Sequence, residues 1–253
     1  MTISLLVIGD ELLSGKRQDG HLRKVAQMLA ARGMELREAR FLGDDEDCIA
    51  AAVVELRARG DLILSCGGIG ATPDDVTRQA VARALGVTIQ RHPAAEALIL
   101  AQYREHARPN RVLMADFPAG AKIIPNPVNN VAGFSCGGVY CVPGFPDMAH
   151  PMLEWVLDHE LTAMHRSDAP VEYSLRVYGS SGEGDLLGLM EEVLRRYPAV
   201  KLSSLPHLGD AQRAPHIEFG IRGPGEAAAP AFRFLQAALE LLPDVRIEIL
   251  RAP

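Results

Sequence analysis

The chain has 253 residues, with 26 lysines and arginines against 32 aspartates and glutamates, for a formal charge of -6. That balance argues against nucleic acid as a partner, because a polyanion-binding surface needs an excess of basic charge. Hydrophobic residues make up 48% of the sequence, enough for a sizeable core, and the length suits one medium domain followed by a small one. No run approaches the roughly 18 apolar residues of a bilayer span. The opening "MTISLLVIGDE" ends its short apolar run in acids and reads as a mature cytoplasmic start without membrane association. Cys48, Cys66, Cys136 and Cys141 show no CxxC or zinc-type spacing and are expected to be reduced, buried thiols.

Three short apolar runs without alternation, "ISLLVI" (3–8), "DLILSC" (61–66) and "GVYCV" (138–142), predict strands covered on both faces of a parallel sheet. Helical patterns lie between them. Asp19 is placed to cap "GHLRKVAQMLAAR", which stops at Gly33; "EDCIAAAVVELRAR" stops at Gly60 and has Asp44 ahead of it as a natural N-cap. A third helix is predicted from "PDDVTRQAVARAL", with Thr72 as N-cap, Pro73 at the first position, Asp75 in a capping-box-like place and Gly86 past the end. Its apolar face is Val76, Ala80, Val81, Ala84 and Leu85. "HPAAEALILAQYREHA" and a longer "DMAHPMLEWVLDHELTAMH", interrupted by Pro151, complete this part. The alternation predicts a three-layer, doubly wound α/β domain with a mostly parallel sheet over residues 1–168.

Beyond "HRSDAP" the pattern becomes strand "EYSLRVYG", helix "EGDLLGLMEEVLRRYP", strands "VKLSSL" and "HIEFGIRG", helix "EAAAPAFRFLQAALELL" and strand "VRIEIL". This βαββαβ order predicts a small ferredoxin-like or KH-like α+β domain over residues 169–253, with a boundary near residues 167–170.

In an open parallel sheet, ligands bind beyond the carboxyl ends of the strands. Three glycine-bearing loops follow strands there: "GDELLSG", "GGIGATPDD" and "PGFPD". Neither standard phosphate fingerprint fits. "GDELLSGKR" has Arg17 where a P-loop needs Ser or Thr, and "GGIGAT" lacks the third glycine of a dinucleotide loop. The amides of the GGIG loop suit an anion, yet Asp74 and Asp75 repel one. A divalent metal resolves the conflict, since Mg²⁺ takes one or two protein carboxylates and completes its shell with water and phosphate oxygens. The alternative is that both aspartates cap the helix, with Asp74 pairing with Arg78 at i,i+4. Asp10 and Glu11 are placed to add carboxylates to the same edge or to orient a polar group of the ligand, and Asp44 is a possible third metal ligand.

Other polar residues carry less. His150, His159 and His165 are spaced by nine and six residues and do not share a helix face as metal ligands, so they read as surface or internally satisfied histidines. Ser14, Ser65 and Ser135 lie in or near the loops without a nucleophile elbow or triad pattern. "YGSSGEGD" reads as a capping glycine turn.

Four segments in order, "IGDELLSGK", "GGIGATPDDVT", "NPVNNVAGF" and "VPGFPDM", resemble the molybdopterin-binding domain of the MoaB/MogA type, and most closely the N-terminal part of CinA-like proteins. The corresponding family patterns are roughly G-x-E-L-L-x-G, G-G-L-G-P-T-x-D-D-x-T, N-P-x-G-x-A-P-G-F and P-G-V-P-x-E-M. The tail from about Val171 resembles the small domain that follows in such chains.

The resemblance implies a pterin- or nucleotide-phosphate site at the strand ends. Relatives include molybdopterin adenylyltransferases, metal-dependent ADP-ribose pyrophosphatases and the corresponding domain of eukaryotic FAD synthases. Carried over, Gly67, Gly68 and Gly70 would cradle phosphate with Thr72 and Thr77 in support, and Asp74 and Asp75 would hold Mg²⁺ or another divalent cation and act in catalysis. Asp10, Glu11, Ser14 and Gly15 would form the facing loop, Gly144 a further close approach, and Asn126 and Asn129 amide contacts. Molybdopterin is a possible ligand, and a homo-oligomer, dimer or trimer, is expected. The sequence departs from the patterns at Ala71, where proline is usual, at Gly20 and His21, where Thr-Asn is common, and at Asn130 and Val131. A C-terminal nicotinamide-nucleotide amidase domain, found in longer CinA proteins, is not expected here.

Overall fold

The computed structural model describes residues 2–167, 170–179 and 182–253. The junction expected between residues 168 and 169, and Ser180 and Ser181 of the glycine turn, lie outside the described residues. The chain separates into two compact units, Met1–Arg166 and Ser167–Pro253. Among the described residues no helix is long and apolar enough to cross a membrane.

The first unit runs β1 (Thr2–Ile8), α1 (Asp10–Leu13), α2 (Leu22–Ala30), β2 (Leu36–Leu42), α3 (Glu46–Ala58), β3 (Asp61–Cys66), α4 (Thr77–Leu85), β4 (Ile89–Arg91), α5 (Pro93–Tyr103), β5 (Asp116–Pro118), β6 (Lys122–Ile124), β7 (Gly133–Cys136), β8 (Val139–Val142) and α6 (Pro146–His159). Its main sheet has the order β2-β1-β3-β8-β7-β6. The first four strands are parallel, and β7 and β6 add an antiparallel edge. β4 and β5 form a separate two-stranded ribbon.

The unbroken apolar runs follow from burial on both faces. Leu6, Ile8, Ile63, Val139 and Cys141 point into one core with Ile49, Val53 and Leu56 of α3, Val81 of α4 and Ile99 of α5. Leu5, Val7, Leu64 and Val142 point the other way, onto Val25 and Leu29 of α2 and Leu153 and Val156 of α6. Helices therefore cover both faces of the sheet, a doubly wound three-layer arrangement.

Three expected helix starts are corrected. The helix placed at Thr72 and Pro73 begins at Thr77, because the Asp75 carboxylate accepts from the Thr72 amide and hydroxyl and closes a turn ahead of it. The α3 cap is Asp45, which accepts from Cys48 N at 2.8 Å. Asp44, expected in that role, instead exchanges hydrogen bonds with Asp10. Asp19 accepts from the amides of His21 and Leu22, so α2 begins at Leu22 rather than Gly20. All four cysteines are free, but only Cys66 and Cys141 are buried, and Cys48 is at the surface.

The second unit runs β9 (Val171–Tyr178), α7 (Glu183–Arg196), β10 (Lys201–His207), β11 (His216–Gly223), α8 (Gly225–Glu240) and β12 (Arg246–Arg251). All pairings are antiparallel, in the order β10-β11-β9-β12, which is a split βαβ arrangement. Leu175, Val177, Phe219 and Ile221 pack on Leu186 and Val193 of α7 and Phe232 and Leu235 of α8. On the other face Arg176 pairs with Glu218 at 3.2 Å and Glu248 at 3.7 Å, which explains the polar alternation of these strands.

Candidate functional site

β1, β3 and β8 run parallel and end on one side, so the loops that follow them converge. A cavity of about 470 Å³ opens there between Gly9 and Glu11, residues 67–75, and residues 143–145. The backbones approach closely: an added Cβ on Gly144 would lie 3.3 Å from the Cα of Gly67.

The glycine loop is folded by contacts behind it. Gly67 has φ +111° and a Cβ there would strike the carbonyl oxygen of Ile8; Gly68 has φ +68° and a Cβ would strike the Thr77 hydroxyl. Thr77 is fully buried. Its hydroxyl donates to the Gly67 carbonyl at 3.0 Å and its amide to that of Gly68 at 3.0 Å, so it supports the loop from beneath and does not line the cavity. Arg78, read from sequence as a partner of Asp74, is instead 4% exposed and donates to the carbonyls of Gly70 and Leu113. With the carbonyls held from behind, the amides of Gly68, Ile69, Gly70 and Ala71 have no hydrogen-bond acceptor among the described residues. They lie in residues that line the cavity. Thr72 N, next in line, is taken by Asp75 at 2.9 Å.

Carboxylates gather on the same rim. Asp10 N donates to Asp44 at 3.0 Å and Asp44 N to Asp10 at 3.2 Å. Burial first, and then the negative charges of Asp10, Glu11 and Asp74, push the Asp44 carboxyl above its ordinary range, against the hydrogen bond from the Asp10 backbone. Hydrogen bonding within the loop, from Thr72 and from its own amide, holds Asp74 below its ordinary range, although the one proton of the Thr72 hydroxyl is directed at Asp75. None of these acids has an ion-pair partner among the described residues, and no three His, Cys, Asp or Glu side chains there already form a metal-holding group. Glu11, Asp44, Asp74 and Asp75 line the cavity, while Asp10, Ser14 and Gly15 do not.

The asparagine loop contrasts with the glycine loop. Asn126 is buried and donates to Asn129 Oδ1 at 2.8 Å and Val131 O at 3.0 Å, while its Oδ1 accepts from Val128 N at 3.0 Å. Asn129 accepts from Val131 N and donates to the Met148 sulfur at 3.2 Å. Both residues lie at the cavity, but the amide contacts expected of them are made within their own loop and with α6.

Sequence reasoning missed Arg17 and Phe145. Both line the cavity, the guanidinium 5.8 Å from the ring centroid. Phe145 is 53% exposed, an aromatic face at the mouth. No spacing rule links residues 128 positions apart. Of the histidines, His159 and His165 bond to backbone carbonyls at 2.9 Å as expected. His150 differs, since its Nε2 is buried without a partner.

Comparison with known proteins agrees with this geometry. The model of the "probable molybdopterin binding domain" matches residues 4–163. A CinA-like protein of Anaeromyxobacter sp. (strain K) is 30% identical over 242 residues, covering 91% of this chain and 57% of the relative. A CinA-like protein of Desulfosudis oleivorans is 32% identical over 229 residues, covering 88% and 52%. The chain thus spans about half the length of these relatives. A crystal structure of "the protein CinA with unknown function" from Thermoplasma acidophilum superposes with TM-score 0.58 at 29% identity, over 62% of this chain and 98% of that one. Because the family model spans residues 4–163, which hold the main sheet and the loops at its strand ends, the chain belongs to the molybdopterin-binding domain family, and it is similar to CinA-like proteins.

Proposed function

We propose that the cavity at the strand ends binds a pterin or nucleotide through its phosphates and, with Mg²⁺ or a similar divalent cation, cleaves a phosphoanhydride of the ADP-ribose type. One observation carries the reading: the amides of four consecutive residues that line the cavity, Gly68 to Ala71, have no acceptor among the described residues. Buried or half-buried amides are nearly always paired, and a row of them facing one cavity suits phosphate oxygens.

The donor set fits a magnesium ion of the kind that takes only one or two carboxylates from protein. Asp74 and Asp44 are the better placed, because one Asp75 oxygen already accepts two hydrogen bonds from Thr72. When bound, the ion would neutralise phosphate charge and acidify a coordinated water. The residues of the chain do the rest. The glycine amides hold the phosphate that keeps the bridging oxygen, Arg17 is placed to meet a second anionic group, and Phe145 offers a face to a flat ring. Water adds to one phosphorus while the bridging P–O bond breaks, leaving two phosphate monoesters.

The test is to incubate the protein with ADP-ribose, FAD, ATP and molybdopterin, with Mg²⁺ and with a chelator, and to separate products chromatographically. Cleavage that needs the cation and falls about a hundredfold in Asp74→Asn supports the reading. A second reading is favoured by the engagement of Asp75 with Thr72: a module of molybdenum cofactor biosynthesis that binds molybdopterin without turnover. It predicts retention of the pterin with no product. Equal phosphate-ligand binding with and without cation, together with wild-type behaviour of Asp74→Asn, rejects the metal assignment.

A further inference from the structure

His21 and His150 meet beneath the loop that follows β8. His21 is 3% exposed, its Nε2 lies 3.2 Å from the Gly144 carbonyl oxygen, and the two rings pack edge to face with centroids 5.5 Å apart. A carbonyl only accepts, so Nε2 of His21 carries the proton and Nδ1 is a bare acceptor. That Nδ1 and the Nε2 of His150 are both buried with no hydrogen-bond partner. Such atoms are rare in native interiors. Here two sit in adjoining rings, and one ring holds a pocket loop.

We propose that His21 is a positioning residue for the 143–146 loop, and that its pairing with His150 makes the hold on Gly144 depend on both rings being neutral. A proton on Nδ1 of His21 would place a charged N–H at a buried atom that no acceptor now meets. The ring escapes that cost by swinging out, and swinging out gives up Gly144.

The neighbours reinforce this. From α2, Lys24 adds positive charge, though it also lies 3.6 Å from Glu154 of α6. Asp19 keeps its negative charge nearby, but both its oxygens are directed at the amides of His21 and Leu22 and not at the rings. From α6, Asp147 is the acid that favours charge on His150. From β3, Cys66 is kept neutral by burial. On the α1 side, Glu11 and Arg17 share a cavity of about 50 Å³ with His21 and Gly144. Burial first, then His21 and Lys24, hold His150 below its ordinary value of 6.5 despite a backbone hydrogen bond with Gly20 and the charge of Asp147. The neutral form of His150 is therefore complete above pH 6.5 and is lost as pH falls through its lowered value. Asparagine in place of His21 can still donate to the Gly144 carbonyl but cannot titrate.

The loop arrangement is independent of what the pocket binds; its effect on affinity rests on the function proposed above. The first arm is an NMR titration of the ligand-free protein from about pH 7.5 to about pH 5, spanning the histidine range. The Gly144 carbonyl and Phe145 amide signals are expected to move with the same midpoint as the rings of His21 and His150. In His21→Asn those loop signals become pH-invariant, and in His150→Gln their midpoint moves. Loop signals that stay fixed while the rings titrate, or rings that titrate independently of each other, overturn the pair. In the second arm, ADP-ribose affinity weakens about tenfold between pH 7.5 and 5.5 in the parent and less than about twofold in His21→Asn. Constant affinity with a moving loop overturns the coupling to the pocket. No ADP-ribose binding at any pH overturns the function proposed above, and the NMR arm still decides the pair.

Discussion

The two ends of the central sheet treat carboxylates in opposite ways. At the amino end, Asp61 of β3 is buried and receives Ser4 Oγ at 2.9 Å, the Thr2 hydroxyl, Arg37 at 3.3 Å and Arg59 at 3.1 Å. At the carboxyl end, Asp10, Glu11, Asp44 and Asp74 share a rim with no ion-pair partner among the described residues. The first set is closed by its own chain and contributes to stability. The second is left with its charge unbalanced, at the cost of some stability, and so is available to a cation or a ligand.

The comparison breaks most visibly at the closed end. Asp61→Ala removes one partner of a buried network and leaves two arginines without it, so unfolding should become easier by about 3 kcal/mol in denaturant titration, with ligand affinity of the folded protein unchanged. Gly67→Ala acts at the open end. Its Cβ meets the Ile8 carbonyl, so the loop must move. A stability loss of about 2 kcal/mol should come with loss of phosphate-ligand binding in calorimetry. Asn126→Ala should cost about 2 kcal/mol in the same denaturant assay because three internal hydrogen bonds disappear, and should affect ligand affinity less than Gly67→Ala does.

The smallest effect sharpens the contrast through its sign. Against burial, which raises it, hydrogen bonds from Thr2, Ser4 and Arg59 and the charge of Arg37 hold Asp61 below its ordinary 3.8. Its stabilisation is full above that value and is lost as pH falls through the lowered one. Asp44 is raised, so its contribution is present below 3.8 and is lost as pH rises through the raised value. In the presence of a chelator, Asp44→Asn should therefore stabilise the protein at pH 7 by less than about 1 kcal/mol and make no difference in strong acid. A thermal melt at both pH values checks it.

Much of the architecture was legible because its signals are local. Unbroken apolar runs marked β1, β3 and β8, and the change of pattern after "HRSDAP" marked the βαββαβ unit. The glycine loop was also legible, since its turns require residues without Cβ. The loop's support was not. Arg78 looks like the i+4 partner of Asp74, and only packing against the 111–115 segment shows it buried and bonded to Gly70 and Leu113. Two adjacent aspartates, Asp44 and Asp45, are equivalent caps on paper, and the position of Asp10 decides between them.

Taken by itself, the order of residues determined the strand-and-helix alternation, the change to βαββαβ and the three loops at the strand ends, because hydrophobic period and glycine geometry act over a few residues. Tertiary structure alone decided which polar groups are used up and which stay open. Asn126 closes on its own loop, Asp75 on Thr72 and Thr77 on Gly67, while residues 68–71, whose amides have no acceptor among the described residues, line the cavity with Glu11, Asp44 and Asp74. Hydrogen-bond satisfaction depends on which distant segments come within about 3 Å, and that distance is set by the packed sheet.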